Sequence, residues 1–173
     1  MRFSLRGKIK AVTTNATPVQ TQIFDYVSSD RRKGWKVVEA YVWPITQRTT
    51  GGGGADGQFS FQSCLATDFV RVTTDNILDP SDNRYFAWAN AGYKTADGAN
   101  DGLYPQSLNT LPSFTIDPDP IIVKELHITI GSVDETGFSE ERDYGYLIVL
   151  EERKLTPEQS VFQQIKGMGQ DVE

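Results

Sequence analysis

A chain of 173 residues with 38% apolar and 11% aromatic residues is long enough to bury a core and too apolar to be disordered. Its single cysteine, Cys64, excludes an internal disulfide and a cysteine-based metal cluster, and no apolar run approaches the roughly 20 residues of a membrane helix. The net charge of −6 is uneven: residues 1–36 hold eight Lys or Arg against two acids (+6), and the remainder holds nine against 21 (−12), so the whole chain is no nucleic-acid binder by charge.

In chain order, Phe3, Leu5 and Ile9 alternate with Arg2, Ser4, Arg6, Lys8 and Lys10, which predicts a strand over 2–10 with one apolar and one basic face. QTQIFDYV (20–27) reads as a second strand, and SSDRRKG (28–34) as a polar loop. WKVVEAYVWPIT (35–46) is dense in Trp, Val and Tyr, with apolar residues on both faces. Such a strand is either covered on both sides or meets a partner chain on one. Pro44 lacks a ladder donor and marks an edge or a bulge.

The four glycines of TTGGGGADG (49–57) have no following Lys-Ser/Thr and lead into a strand, so they do not form a phosphate-binding loop. They read as part of a connection from Gln47 to Gly57 that is too long for a tight hairpin. QFSFQSCLAT (58–67) is the next strand, DFVRVTT (68–74) continues extended, and DNILDPSDN (75–83) has turn chemistry. RYFAWANAGY (84–93) reads as a strand, and residues 94–120 as a long irregular stretch, a length that compact domains reserve for functional or interfacial loops. IIVKELHITIG (121–131) alternates cleanly, SVDETGFSEERD (132–143) is an acidic connection, and YGYLIVLEERKL (144–155) is the last strand.

The end of the chain predicts a helix over 155–169. Thr156, Pro157 and Gln159 supply an N-cap, a proline at the first helical position and a capping-box partner, and Val161, Phe162, Ile165 and Met168 fall on one face. Strands without interleaved helices do not build a parallel α/β sheet. The sum is one all-β domain over 1–173, an antiparallel β-sandwich with jelly-roll or other Greek-key order and a short C-terminal α-helix.

Chemistry-bearing residues are sparse. Cys64 sits in a strand and reads as a small buried hydrophobe. His127, the only histidine, occupies a polar-phase strand position, which reads as an exposed or half-buried side chain. DGANDG (97–102) lacks the closing Glu and the flanking helices of an EF-hand calcium loop and reads as a turn cluster, with turn loops meeting at one end of a sandwich, together with Asp79 and Asp82, as the alternative source of carboxylates. Glu140/Glu141 and Glu151/Glu152 are adjacent and point to opposite faces of a strand, so neither pair is an acid/base dyad. No enzyme, cofactor or metal reading follows. Tyr85, Phe86, Trp88, Tyr93 and Tyr104 surround the long stretch and read mostly as core, with a protein interface or a sugar-stacking platform as the alternatives.

The strand run over residues 3–155, closed by YGYLIVLEERKLTPEQSVFQQIKG, resembles the small jelly-roll coat proteins of viruses, and that closing segment resembles C-terminal segments of phage and environmental viral structural proteins. The resemblance implies a virion structural protein: a coat, vertex or decoration subunit that self-assembles and meets other virion proteins, without a membrane partner. The chain lacks the long Arg/Lys arm of many RNA-packaging coats, which turns the expectation from genome packaging toward a shell or accessory role. The expected interface comprises Arg2, Arg6, Lys8 and Lys10, the Arg31, Arg32 and Lys33 loop, Tyr93, Tyr104, Phe162 and Ile165, with the basic strand facing acidic neighbours or packaged nucleic acid. A carbohydrate-binding or adhesion module is the alternative.

Overall fold

The computed structural model describes residues 1–12, 18–26, 32–45, 58–70, 77–95, 103–105, 112–134 and 141–167. The glycine connection, Arg31 and the DGANDG segment lie outside them. Among the described residues are nine strands and a helix: β1 (Arg2–Val12), β2 (Val19–Asp25), β3 (Lys33–Pro44), β4 (Gln58–Ala66), β5 (Tyr85–Thr95), β6 (Leu103–Pro105), β7 (Thr115–Ile116), β8 (Glu125–Asp134), β9 (Glu141–Lys154) and α1 (Pro157–Gly167).

Two antiparallel sheets carry these strands, ordered β1-β9-β3 and β2-β8-β4-β5-β6, with β7 also on β5. The pairing is nested. β1 pairs with β9, β2 with β8, and β4 with β5. β3 is met by residues 112–114: Tyr41 bridges Ser113, the Val42 amide donates to the Pro112 carbonyl (3.1 Å), and the Phe114 amide donates to the Ala40 carbonyl (3.0 Å). First strand with last, second with second-last, and so inward, is a long hairpin rolled into a jelly roll.

The inner faces supply the core. Val37, Ala40, Val42, Tyr144, Ile148 and Leu150 of the smaller sheet meet Phe61, Leu65, Phe86, Leu126, Ile128 and Ile130 of the larger one. Each fully buried Leu or Ile contributes about 1.5–3 kcal/mol. The Phe61 and Tyr144 rings cross between sheets at 5.2 Å. At one end Trp35 takes edge contacts from Phe3, Phe24 and Tyr26 at 4.9, 6.2 and 5.8 Å.

A second cluster lies on the outer face of the larger sheet. Cys64, Ala66 and Tyr85 pack there against Val70 and Ile77, with Leu78 and Trp88 alongside. The segment after β4 therefore roofs the sheet. The Ile77 Cδ1 methyl rests where a side chain on Gly131 would stand, so the roof packs directly onto that glycine.

Several sequence boundaries are corrected. The stretch 94–120 is not irregular throughout, since it contributes the end of β5, all of β6 and β7, and the 112–114 bridge. The strand expected at 121–131 begins only at Glu125 and runs to Asp134. Residues before it bend so that Ile122 and Trp35 exchange both backbone hydrogen bonds, at 2.7 and 2.8 Å. The acidic connection shortens accordingly, because β9 begins at Glu141. Residues 68–70 are not strand, as they turn into the roof.

One irregularity decides what the smaller sheet shows outward. The β3–β9 register shifts between Val37 and Glu39. A bulge adds one residue and reverses the facing of everything after it. Trp35 and Val37 point inward before the bulge, Ala40 and Val42 point inward after it, and Tyr41 and Trp43 are turned to the outer face.

Candidate assembly surfaces

The outer face of the β1-β9-β3 sheet is built in rows by the register: Arg2–Glu151–Lys36, Ser4–Val149–Glu39, Arg6–Leu147–Tyr41 and Lys8–Gly145–Trp43. The expected alternation holds along β1, where Ile9 and Ala11 are buried while Arg2, Arg6, Lys8 and Lys10 are exposed. Central strand β9 supplies the apolar middle. Leu147 and Val149 face outward and are half-buried, as are Tyr41 and Trp43. An antiparallel sheet with one wet face normally shows polar residues there.

Gly145 makes room for this surface. A Cβ on it would lie 2.8 Å from Trp43 Cε2 and 3.0 Å from Cζ2 and Nε1, so the indole lies across the glycine of the neighbouring strand. The inner face repeats the device at Gly7, where a Cβ would lie 2.5 Å from the Tyr146 hydroxyl.

The basic strand is partly neutralised at home. Arg2 pairs with Glu151 (3.6 Å), which also holds Arg153 (3.3 Å), and Lys8 pairs with Asp143 (3.5 Å). Such exposed pairs contribute about 0–1 kcal/mol each. Arg6, opposite Leu147, has no ion pair among the described residues. Lys33 reaches Glu152 at 3.2 Å, and Arg32 is exposed while its carbonyl accepts from the Leu155 amide (2.7 Å).

Helix α1 begins with the expected capping box. The Gln159 amide donates to Thr156 Oγ1 (3.2 Å), and the Thr156 amide donates to Gln159 Oε1 (3.0 Å). Its attachment runs through polar residues: Ser160 is 2% exposed, and Gln163 Oε1 accepts from the Ile121 amide at 3.3 Å. Val161, Phe162 and Ile165 form the apolar stripe, yet they are 54%, 59% and 53% exposed. The helix presents its polar side to the sandwich and its apolar side to solvent.

The expected interface residues thus divide. Arg2, Arg6, Lys8 and Lys10 share one sheet face, Arg32 and Lys33 lie beside the end of β9, and Phe162 and Ile165 share the helix face. Tyr93 and Tyr104 lie on the paired strands β5 and β6, on the other sheet. Sequence reasoning missed Tyr41, Trp43, Leu147 and Val149. The signal available was the two-faced apolarity of 35–46, without the bulge that sorts it.

The remaining chemistry-bearing residues are structural. Cys64 is fully buried, and burial pushes its thiol up to about 12. His127 is neither exposed nor half-buried, as its position suggested, but 4% exposed under the roof, with Phe69 edge-on at 6.3 Å. Its Nε2 lies 2.8 Å from Glu125 Oε2, and Lys124 together with His127 holds the Glu125 carboxyl below its ordinary range. Glu151 and Glu152 face opposite ways, one toward Arg2 and one toward Lys33. Asp82 clasps Arg84 through contacts of 2.6–3.1 Å, which hold its carboxyl low. Among the described residues no three His, Cys, Asp or Glu side chains converge on a metal position. Among the described residues no helix is long and apolar enough to cross a membrane. Tyr85 and Phe86 are 4% and 2% exposed and so are not available to stack on sugar, while Trp88 is half-buried beside the roofed cluster.

No protein-family model matches the chain, and a search of curated proteins finds no significant match. Among solved structures, VP1 of Trichodysplasia spinulosa-associated polyomavirus in complex with GM1 oligosaccharide is similar at a TM-score of 0.46 and 8% identity, covering 88% of this chain and 93% of that one. VP1 of the same virus without a named ligand matches at a TM-score of 0.45 and 9% identity over 90% and 96% of the two chains. A third, with 3'-sialyllactose, matches at 0.43 and 9% identity over 82% and 78%.

Proposed function

We propose that this chain is a structural, non-catalytic subunit of a virion, a jelly-roll shell or accessory protein that works by self-association. The observation that carries the reading is the inverted helix: Val161, Phe162 and Ile165 lie more than half exposed while Ser160 and Gln163 face the sandwich. Exposing three large apolar side chains on one helical face costs solubility unless a neighbour covers them. The outward apolar middle of the β1-β9-β3 sheet supports the same reading, and the sequence resemblance to viral jelly-roll coats supplies the virion.

The cations of β1 are assigned to protein contact rather than to packaged nucleic acid, because Glu151, Asp143 and Glu39 share their face. The test is light scattering coupled to size exclusion over a concentration series, followed by electron microscopy of the heaviest fraction. Discrete rings, arrays or shells are expected. A monomer at all concentrations, including the millimolar range, overturns the reading.

A further inference from the structure

We propose that the exposed face of α1 docks on the outer face of the β1-β9-β3 sheet of a second copy, in a head-to-tail contact; this rests on the self-association reading and names the two surfaces that meet. The helix face runs Glu158, Val161, Phe162, Ile165, the i, i+3, i+4, i+7 spacing with which an amphipathic helix enters an apolar strip. It is about 10 Å long at 1.5 Å per residue. The strip made by Leu147, Val149, Tyr41 and Trp43 spans two strands about 5 Å apart and about 13 Å along β9, from Gly145 to Val149. The lengths agree.

Charge selects the pairing. Residues 156–173 hold Glu158, Asp171 and Glu173 against Lys166, a balance of −2, whereas residues 1–12 hold Arg2, Arg6, Lys8 and Lys10 with no acid, a balance of +4. Arg6 borders the strip, opposite Leu147, and has no ion pair among the described residues. Glu158 is exposed on the helix face and has no ion pair there either. The docked helix brings Glu158 to Arg6 and Lys8 while Phe162 covers Leu147.

The contact is between copies, because the helix is tied down on its own. Gln163 holds Ile121, and the Leu155 amide holds the Arg32 carbonyl, both at the Lys154 end of β9. Leu147 lies seven residues earlier in that strand, about 24 Å away. Each copy therefore offers one helix and one sheet face to two different neighbours. That is a heterologous interface, which closes into rings or grows into arrays.

The experiment uses two variants of the full chain, Phe162→Asp and Arg6→Glu/Lys8→Glu, all at exposed positions. Unchanged thermal melts by circular dichroism establish that each is folded. Each variant alone is expected to need at least about tenfold more protein to associate than the parent, as loss of one central contact implies. Mixed in equal amounts, they are expected to form a dimer of twice the 19.3 kDa subunit mass that grows no further. One copy then lacks a usable helix and the other a usable sheet face. Glu158→Lys added to Arg6→Glu is expected to restore association by reversing both charges.

Association by the parent with either variant unimpaired overturns the docking and leaves the shell reading standing. A helix variant that fails while the sheet variant assembles points instead to helix–helix contact and overturns it too. A mixture that stays monomeric overturns the head-to-tail arrangement. A parent that is monomeric throughout overturns both proposals. Loss of association by the sheet variant together with loss of oligonucleotide binding, and no rescue by Glu158→Lys, assigns the face to nucleic acid and also overturns the docking.

Discussion

Trp43 and Gly145 stand directly opposite one another on β3 and β9, and the indole occupies the space that a side chain on Gly145 would fill. The glycine weakens β9 locally, since it offers nothing to pack and loses more backbone entropy on folding. The tryptophan covers the gap. The result is an apolar platform on the outer face of the smaller sheet, beside Lys8.

Gly145→Ala therefore displaces the indole. The new Cβ would meet three ring atoms of Trp43 at 2.8–3.0 Å, so the ring has to shift. A loss of about 1 kcal/mol in urea unfolding is expected, at the low end for overpacking because the Trp43 ring that must move is only half-buried. Tryptophan emission should shift to the red as Trp43 becomes wetter. Identical emission and an identical midpoint would mean that Trp43 has room elsewhere on the face.

That platform shows where sequence reasoning stops. The alternation of 2–10, the density of 35–46, the capping box and the strand count are local patterns, and they led to the sandwich and the helix. The bulge at Val38 is not local. Strict alternation through β3 would group Trp35, Val37, Glu39, Tyr41 and Trp43 on one side, and only pairing with β9 reveals the reversal. His127 was misplaced for a related reason: its polar phase does not disclose that Phe69 lies against it and that Val70 and Ile77 pack over the same sheet face. The helix stripe was legible from periodicity, but period cannot say which side faces the sandwich. The hydrogen bond from Ile121 to Gln163, 42 residues apart in sequence, decides that.

Thr156→Ala tests the helix independently of its apolar face. The substitution removes the acceptor for the Gln159 amide, a loss of about 1 kcal/mol of helix stability. As α1 is the one helix among the described residues, its fraying is readable as reduced ellipticity near 222 nm. The sandwich should melt at an unchanged temperature, since its core clusters contain no residue of α1. Self-association should weaken in parallel with the ellipticity. Full association with a frayed helix would detach α1 from assembly.

The roofed cluster makes a pH prediction. Burial raises the Cys64 thiol from its ordinary 9.0 to about 12, and it also raises the Tyr85 hydroxyl. Between pH 9 and 12 the unfolded chain releases the thiol proton while the folded chain retains it. Stability is thus fully present below pH 9 and falls as pH rises, at up to about 1.4 kcal/mol per unit for one such group. Urea midpoints across pH 8–11 should decline, and Cys64→Ser should flatten part of the slope. Below pH 9 the folded thiol should resist alkylation, and rapid labelling of native protein would show that the roof opens.

The glycine connection gives the last prediction. β3 and β4 lie in different sheets, so residues 45–57 must cross from one to the other. The crossing is short: Pro44 pairs with Tyr144, Tyr144 touches Phe61, and Phe61 is three residues into β4 from Gln58. That places the two strand ends within roughly 20 Å. Deleting Gly51 to Gly54 leaves nine residues, which reach about 30 Å when extended. Shortening the loop from 13 to nine residues changes closure entropy by only about 0.3 kcal/mol. The deletion variant should fold with an unchanged melting temperature. A fall of more than about 5 °C, equivalent to roughly 1–2 kcal/mol at this size, would show that the glycines pack on the sandwich rather than span it.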